Sequence, residues 1–294
     1  MLALISAEEA EHHDKDLALL TKQLDFTGVK WEIVHWHDNN VDWGKYTCAK
    51  IQSPWDYHKR IDEFQAWLSK VAQVTTLLNP IPIINWNIDK RYLKELIRAG
   101  IPTIQTTFVE NEMDLCKQEH ILDNDIIVKP AISAGSNDTF RFISKKDEAY
   151  AHAKNILSSG RTVLIQPYLK TIDTFSESGI IYINGKYGHA ISKSAIFGDT
   201  KNEHNGLYFE AKVIKRDPTP LEKEFGERII VWLTAKFGRV PLYARIDTVI
   251  DASGSPLVME LELLEPSLFL HLAEEADTAA MLAAACADAL NQAR

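Results

Sequence analysis

Apolar and charged residues are β-patterned near the C-terminal end, in the runs 242–250 and 257–267, and alternate at their centres, around Arg245 and Asp247 and around Glu260 and Glu262. The turn between them, Asp251-Ala-Ser-Gly-Ser-Pro256, is rich in residues that favour chain reversal. The pattern predicts a β-hairpin. Side chains alternate faces along a strand, so Arg245 and Asp247 share one face, and Glu260 and Glu262 share one. If the two faces coincide, three carboxylates and a guanidinium converge, and like carboxylates raise each other's pKa. A hard divalent cation with oxygen ligands, Mg²⁺ above all, relieves that repulsion. The plain alternative is a sheet with one wet face, where acids between apolar residues are ordinary.

The same reading applied from the N-terminus gives a β/α rhythm. Residues 2–6 and 31–36 read as strands, with Gly28 in the turn before the second. Residues 14–24 and 62–71 read as amphipathic helices, buried through Leu17, Leu20 and Leu24 and through Phe64, Trp67, Leu68 and Val71. This rhythm predicts a small parallel-sheet unit. Pro80 and Pro82 break the chain near a domain boundary. Asp89 then caps a helix over 90–99 that Gly100 stops. Lys90 in its first turn opposes the helix dipole, so either an anion elsewhere pairs with it or water solvates it.

Residues 125–130 form a strand carrying Lys129, followed by the small-residue loop 131–136 with Ser133, Gly135 and Ser136. Such a loop can turn backbone N–H groups toward phosphate while the lysine supplies charge. Neither a Walker A loop nor a GxGxxG fingerprint occurs. A strand over 161–168 precedes a polar connection holding Asp173 and Glu177. A second hairpin, 179–193, turns at Asn184-Gly185 and ends at Lys193. Residues 197–206 have the Gly, Asp, Asn and His content of a mobile loop that closes over a ligand. Helices over 222–237 and 272–293 complete the chain, the last one Ala-rich and structural.

Composition narrows the function classes. With 294 residues, 46% hydrophobic and 25% charged, the chain has the make-up of a soluble globular protein of about two domains. No apolar run approaches the ~18–20 residues of a membrane span. No basic region precedes Glu8, Glu9 and Glu11, so the N-terminus reads as a first strand and the compartment as cytoplasmic. A net charge of -9 argues against nucleic acid and anionic membrane as partners, but not against ATP in a local cationic pocket. Cys48, Cys116 and Cys286 suggest neither a disulfide framework nor a zinc ribbon. His12 and His13 beside Asp14 and Asp16, and His35 and His37 beside Asp38, complete no zinc ligand set, and read as polar strand and loop ends. Ser53-Pro-Trp-Asp-Tyr57 is a loop suited to lining a pocket.

Taken in order, Lys90, Val128-Lys129-Pro130, Ile165-Gln-Pro-Tyr168, Glu177, Lys193, Arg245-x-Asp247 and Glu260-x-Glu262 resemble the ATP-grasp superfamily. Within it, the chain is similar to the glutathione-synthetase-like branch that includes the O-ureidoserine cyclo-ligase of cycloserine biosynthesis. Ser53–Tyr57, Asp89-Lys-Arg-Tyr92 and Glu260-Leu-Glu-Leu-Leu-Glu-Pro-Ser267 carry that closer likeness. The resemblance implies an α/β (α+β overall) ATP-grasp fold: an N-terminal α/β domain over 1–88, a central lid over 89–166 and a C-terminal domain over 167–294. It implies that Lys90, Lys129 and the loop residues Ser133, Gly135 and Ser136 contact ATP phosphates, with Lys129 also near the adenine edge. Gln166, Pro167, Tyr168 and Leu169 would be the adenine linker. Glu177 would hold the ribose, with Asp173 as its competitor. Lys193 would bind the outer phosphates, and Asp247, Glu260 and Glu262 would bind Mg²⁺, with Mn²⁺ as a substitute. Arg245 would meet the transferring phosphoryl group or the substrate carboxylate.

Two departures stand out. Glu262 occupies a place where many relatives carry Asn, and Gly179 one where glutathione synthetases carry a basic residue, which sets glutathione-type substrates aside. The implied activity is ADP-forming carboxylate–amine ligation through an acyl phosphate, on a small amino-acid-like or peptide-like carboxylate and an amine nucleophile in one molecule or two. A homodimer follows from the likeness alone. The alternatives are a small-molecule kinase, which releases no free phosphate, and a nucleotide-binding protein without turnover.

Overall fold

Three sheets succeed one another along the chain, and each takes its form from how its connections can be buried. In the computed structural model, which describes residues 1–194, 212–273 and 277–293, the first sheet contains β1 (Leu2–Ser6), β2 (Trp31–His35), β3 (Cys48–Ser53) and β4 (Thr76–Leu78). Its order is β2-β1-β3-β4, parallel at every junction. Alternate residues of β1 divide between two cores. Ala3 and Ile5 meet Phe64, Trp67 and Leu68 of helix Ile61–Val71, while Leu2 and Leu4 meet Leu17, Leu20 and Leu24 of helix Lys15–Phe26. The sequence pattern leaves β3 unannounced because Lys50 and Gln52 make it look polar. Both are buried: the Lys50 ammonium donates to Gln52 Oε1 at 2.5 Å and lies 4.5 Å from the Tyr243 ring centre, and Gln52 donates to Asp14 at 2.8 Å.

The second sheet is antiparallel. Strands β5 (Thr107–Val109), β6 (Asp125–Pro130), β7 (Phe140–Ile143) and β8 (Val163–Pro167) pair in the order β5-β8-β6-β7. Ala149, Ala153 and Ile156 of helix Lys146–Ser158 cover it.

The third sheet holds β9 (Glu177–Ile183), β10 (Lys186–Lys193), β11 (Val213–Arg216), β12 (Tyr243–Ile250) and β13 (Pro256–Glu262), in the order β11-β10-β9-β12-β13. Asn184 (φ 46°) and Gly185 (φ 76°) make the left-handed turn anticipated between β9 and β10. Helix Pro220–Phe237 packs on one face of this sheet. On the other, helix Thr278–Gln292 wedges between it and the first sheet, touching Ile181, Ile191 and Leu20 in one core; it begins later than the sequence pattern places it, after a separate 3₁₀ turn at Leu270–Leu272. The expected closing loop at 197–206 lies outside the described residues.

Residues 89–101, expected in the lid unit, pack instead against the third sheet. Tyr92, Leu93, Leu96 and Ile101 present an apolar face that Ile246, Val258 and Leu261 bury. Two amides fasten the segment just before them. Asn79 donates to the Tyr243 and Leu263 carbonyls at 2.9 and 2.7 Å, and Asn87 donates to the Leu261 carbonyl at 2.7 Å.

Helix Lys15–Phe26 is tied to the far end of the chain by one carboxylate. Asp16, only 3% exposed, accepts backbone N–H groups from Leu268, Phe269 and Leu270 at 2.6, 3.0 and 2.7 Å. Asp16→Ala leaves three donors without a partner and should destabilise the fold by about 3 kcal/mol or more. Differential scanning calorimetry should then show a melting temperature about 6–12 °C lower; a loss under about 2 °C contradicts this reading of Asp16.

Candidate active site

Strand register decides whether the acidic residues meet. Arg245 stands opposite Glu262 and Asp247 opposite Glu260, so the two faces coincide. On its other side Asp247 pairs with Gly179 of β9. A Cβ on Gly179 would lie 2.9 Å from Ile191 Cδ1 and 3.1 Å from Asp247 Oδ1, so any side chain there would have to displace Ile191 and crowd Asp247.

Each carboxylate is held by a cation rather than by its acidic neighbours. Arg245 Nε and Nη2 donate to Asp247 at 2.8 and 2.9 Å, Nη2 also meets Glu262, and Nη1 donates to the Ser267 carbonyl at 2.7 Å. Lys193 lies 2.8 Å from Asp247 Oδ2 and pairs with Glu177. Lys90 finds the anionic partner that its place in a helix first turn suggests, Glu260 at 3.1 Å, and donates to the Ser133 carbonyl at 2.9 Å. Among the described residues no group of three or more His, Cys, Asp or Glu is gathered as a ready metal site.

The electrostatics follow from this arrangement. Burial opposes the charge on Asp247, but Arg245 and then Lys193 outweigh it and hold the carboxyl well below the ordinary range. Burial also acts against Glu260, yet Lys90 and Lys129 keep it low, whereas at Glu262 burial wins over Arg245. Burial pushes Glu177 up to about 7 despite Lys193. Lys129 differs from the other lysines. It is 7% exposed and has no hydrogen bond or ion pair among the described residues, and burial pulls its pKa down.

All these groups face one cleft of about 420 Å³ between the second and third sheets. Ser133, Gly135 and Ser136 line it, the last two with φ of 59° each, and so do Gln166, Pro167 and Tyr168. Leu169 is not part of the lining. Asp173 is also outside it, exposed and accepting the Tyr168 hydroxyl at 2.5 Å, whereas Glu177 lies inside beside Lys193. Trp55 and Tyr57 reach the cleft from the N-terminal unit. Sequence reasoning missed its apolar walls, Ile104, Ile127, Met259 and Leu261, which in sequence are indistinguishable from core. Met259 is the extra residue where the β12–β13 register shifts. Of the histidines, His35 bonds Glu11 at 3.1 Å and His13 edges the cleft.

The raised carboxyls set a pH dependence. Glu177, near 7, and Glu265, pushed by burial to about 8, have folded values above their unfolded ones. Their contribution to stability is therefore complete below the unfolded value near 4.5 and is lost as pH rises through 7 and 8. Without added nucleotide, the melting temperature should fall by about 4–8 °C between about pH 5 and pH 8, and Glu177→Gln should flatten that fall.

Residues 2–79 match the family of the D-cycloserine synthetase DcsG N-terminal domain. The cycloserine biosynthesis protein DcsG of Streptomyces lavendulae is 33% identical over 285 residues, 94% of each chain. The chain belongs to the ATP-grasp ligases related to DcsG. The crystal structure of D-cycloserine synthetase DcsG superposes with a TM-score of 0.88 at 30% identity, covering 98% of this chain and 99% of that one. D-alanyl-alanine synthetase A of Vibrio cholerae, at 14% identity, shares the fold with a TM-score of 0.72, covering 99% and 98%. As an ATP-grasp ligase, the protein is an ATP-dependent, ADP-forming enzyme that makes carbon–nitrogen bonds. That places the ligase reading above the kinase and non-catalytic alternatives.

Proposed function

We propose that this ATP-grasp ligase activates the carboxylate of a small amino acid as an acyl phosphate and closes it onto a nitrogen of the same molecule, as the likeness to DcsG supports. The observation that carries the nucleotide part is Lys129. A lysine so deeply buried, facing a cleft with no counter-charge of its own, calls for an anionic ligand. Lys90 and Lys193 converge on the same space from other elements. Lys90 holds Glu260 and Lys193 holds Asp247, so phosphates that took the lysines would free these two carboxylates, which together with Glu262, paired with Arg245, would hold magnesium or manganese. A hard cation accepts such an oxygen donor set. When bound, it would neutralise phosphate charge as phosphoryl transfer proceeds.

In this reading the β1–β4 unit is the substrate side, β5–β8 the lid and β9–β13 the phosphate platform. Gln166, Pro167 and Tyr168 would flank the adenine, with Ile104, Ile127 and Leu261 as its apolar bed. Asp173, next to Tyr168, suits the ribose better than Glu177, whose place beside Lys193 is at the phosphate end. Arg245 and Lys193 steady the reacting groups while a substrate carboxylate oxygen attacks the γ-phosphorus and the bond to the ADP oxygen breaks. The substrate nitrogen then attacks the acyl carbon, the carbon–oxygen bond to phosphate breaks, and the nitrogen loses a proton. Three free cysteines and an ATP requirement fit a cytoplasmic setting.

The test is to measure ADP and free phosphate together over a panel of small amino acids that includes O-ureidoserine. Equal release of both is expected. A phosphorylated product accumulating without free phosphate would overturn the proposal in favour of a kinase.

A further inference from the structure

Beyond Arg245 the cleft changes character. Trp55 and Tyr57, from the segment after β3, face Glu265, Ser267 and Phe269, from the segment after β13. The other acids at this end are spent. Asp14 accepts from the Asp16 and Leu17 N–H groups and from Gln52, and Asp16 accepts three N–H groups from 268–270. Arg245 has every type of donor nitrogen engaged, and Lys90 is committed to Glu260 and Ser133. Glu265 is the exception. Its backbone carbonyl is held by the Trp55 indole at 3.4 Å, while its carboxyl group lies in the same part of the cleft as the buried Tyr57 and has no ion-pair partner among the described residues.

A carboxyl group placed this way lacks the cation that would favour its charged form, which a substrate ammonium supplies. Burial, and then Glu262, disfavour its charge, whereas Lys90 and Arg245 lie near enough to act on it. The ammonium and carboxylate of an α-amino acid are one carbon apart, so a site for both needs an anionic contact next to a cationic one. Glu265, which lines the same cleft as Arg245 and feels its charge, provides that pairing, and Trp55 and Phe269 line the cleft with them.

We propose that Glu265, which lines the cleft with Tyr57, holds the α-ammonium group of a free amino-acid substrate whose carboxylate lies toward Arg245 and Lys193. The enzyme then takes free amino acids and rejects those whose amine is acylated or in peptide linkage. This inference rests on the ligase reading and deepens it, by naming what selects the substrate.

The experiment is calorimetric titration of the full chain in the presence of magnesium and a non-hydrolysable ATP analogue. The probes are O-ureidoserine, serine and alanine in both enantiomers, each compared with its N-acetyl derivative. For the best-binding free acid, wild type should prefer the free form by roughly 10- to 100-fold, the worth of a charged hydrogen bond. Glu265→Gln should reduce that preference to about threefold or less while nucleotide Kd stays within about twofold. Tyr57→Phe keeps the buried ring and should weaken the preference by roughly 3- to 10-fold, which serves if the first variant folds poorly. If wild type binds nucleotide yet prefers no free acid to its N-acetyl form, or if Glu265→Gln keeps the full preference, the inference is overturned and the ligase reading stands. If wild type fails to bind nucleotide, the ligase reading itself is overturned.

Discussion

Lys193→Met should lower the rate of ADP formation by roughly 10²- to 10³-fold, the usual cost of losing one preorganised donor aimed at developing charge. Lys193 ends β10 with its ammonium between Asp247 and Glu177, facing the cleft. Methionine fills the space of the stem and removes the charge. Asp247 still has Arg245, and Glu177, already near 7, can take a proton, so the fold should survive. The loss should therefore fall on kcat far more than on the KM for ATP, because the interaction matters most when charge moves. Steady-state kinetics with thermal denaturation as a folding control makes the check. An unchanged kcat in a folded variant removes Lys193 from the mechanism.

Glu260→Gln should be comparably severe but should carry a different signature. Glu260 stands across the hairpin from Asp247 and pairs with Lys90. The amide keeps the size and one acceptor oxygen but loses the charge that makes a carboxylate a good ligand for magnesium. Turnover should fall by roughly 10²-fold or more, and the magnesium concentration for half-maximal rate should rise. Freed from Glu260, Lys90 keeps its bond to the Ser133 carbonyl, so nucleotide binding measured by thermal shift should largely persist. A normal magnesium dependence in this variant assigns the metal elsewhere.

The acidic hairpin is legible in the amino-acid sequence because strands are regular. A two-residue period puts Arg245 with Asp247 and Glu260 with Glu262, and the register joins the two pairs. Lys193 and Lys129 stand out because each closes an apolar strand, and Lys90 because a lysine is out of place at a helix start. Other features resist reading for equally physical reasons. Strand β3 hides because a buried Lys50–Gln52–Asp14 network looks like an exposed polar run. Ile104, Ile127 and Leu261 line the cleft with side chains no different from those of a core. The place of 89–101 depends on which sheet buries Tyr92 and Leu96, a long-range choice invisible to local pattern. Glu265 sits in the segment 263–267, which follows β13 and has no repeat to give it a facing direction.

The central claim is that the substrate carboxylate is phosphorylated before nitrogen attacks. Turnover of an amino-acid substrate labelled with ¹⁸O in its carboxylate tests this most directly, with the released phosphate analysed by mass spectrometry or ³¹P NMR. An acyl phosphate transfers one carboxylate oxygen to phosphate, so each phosphate released should carry a single ¹⁸O. Phosphate formed without label, at normal rates of product formation, would contradict the account.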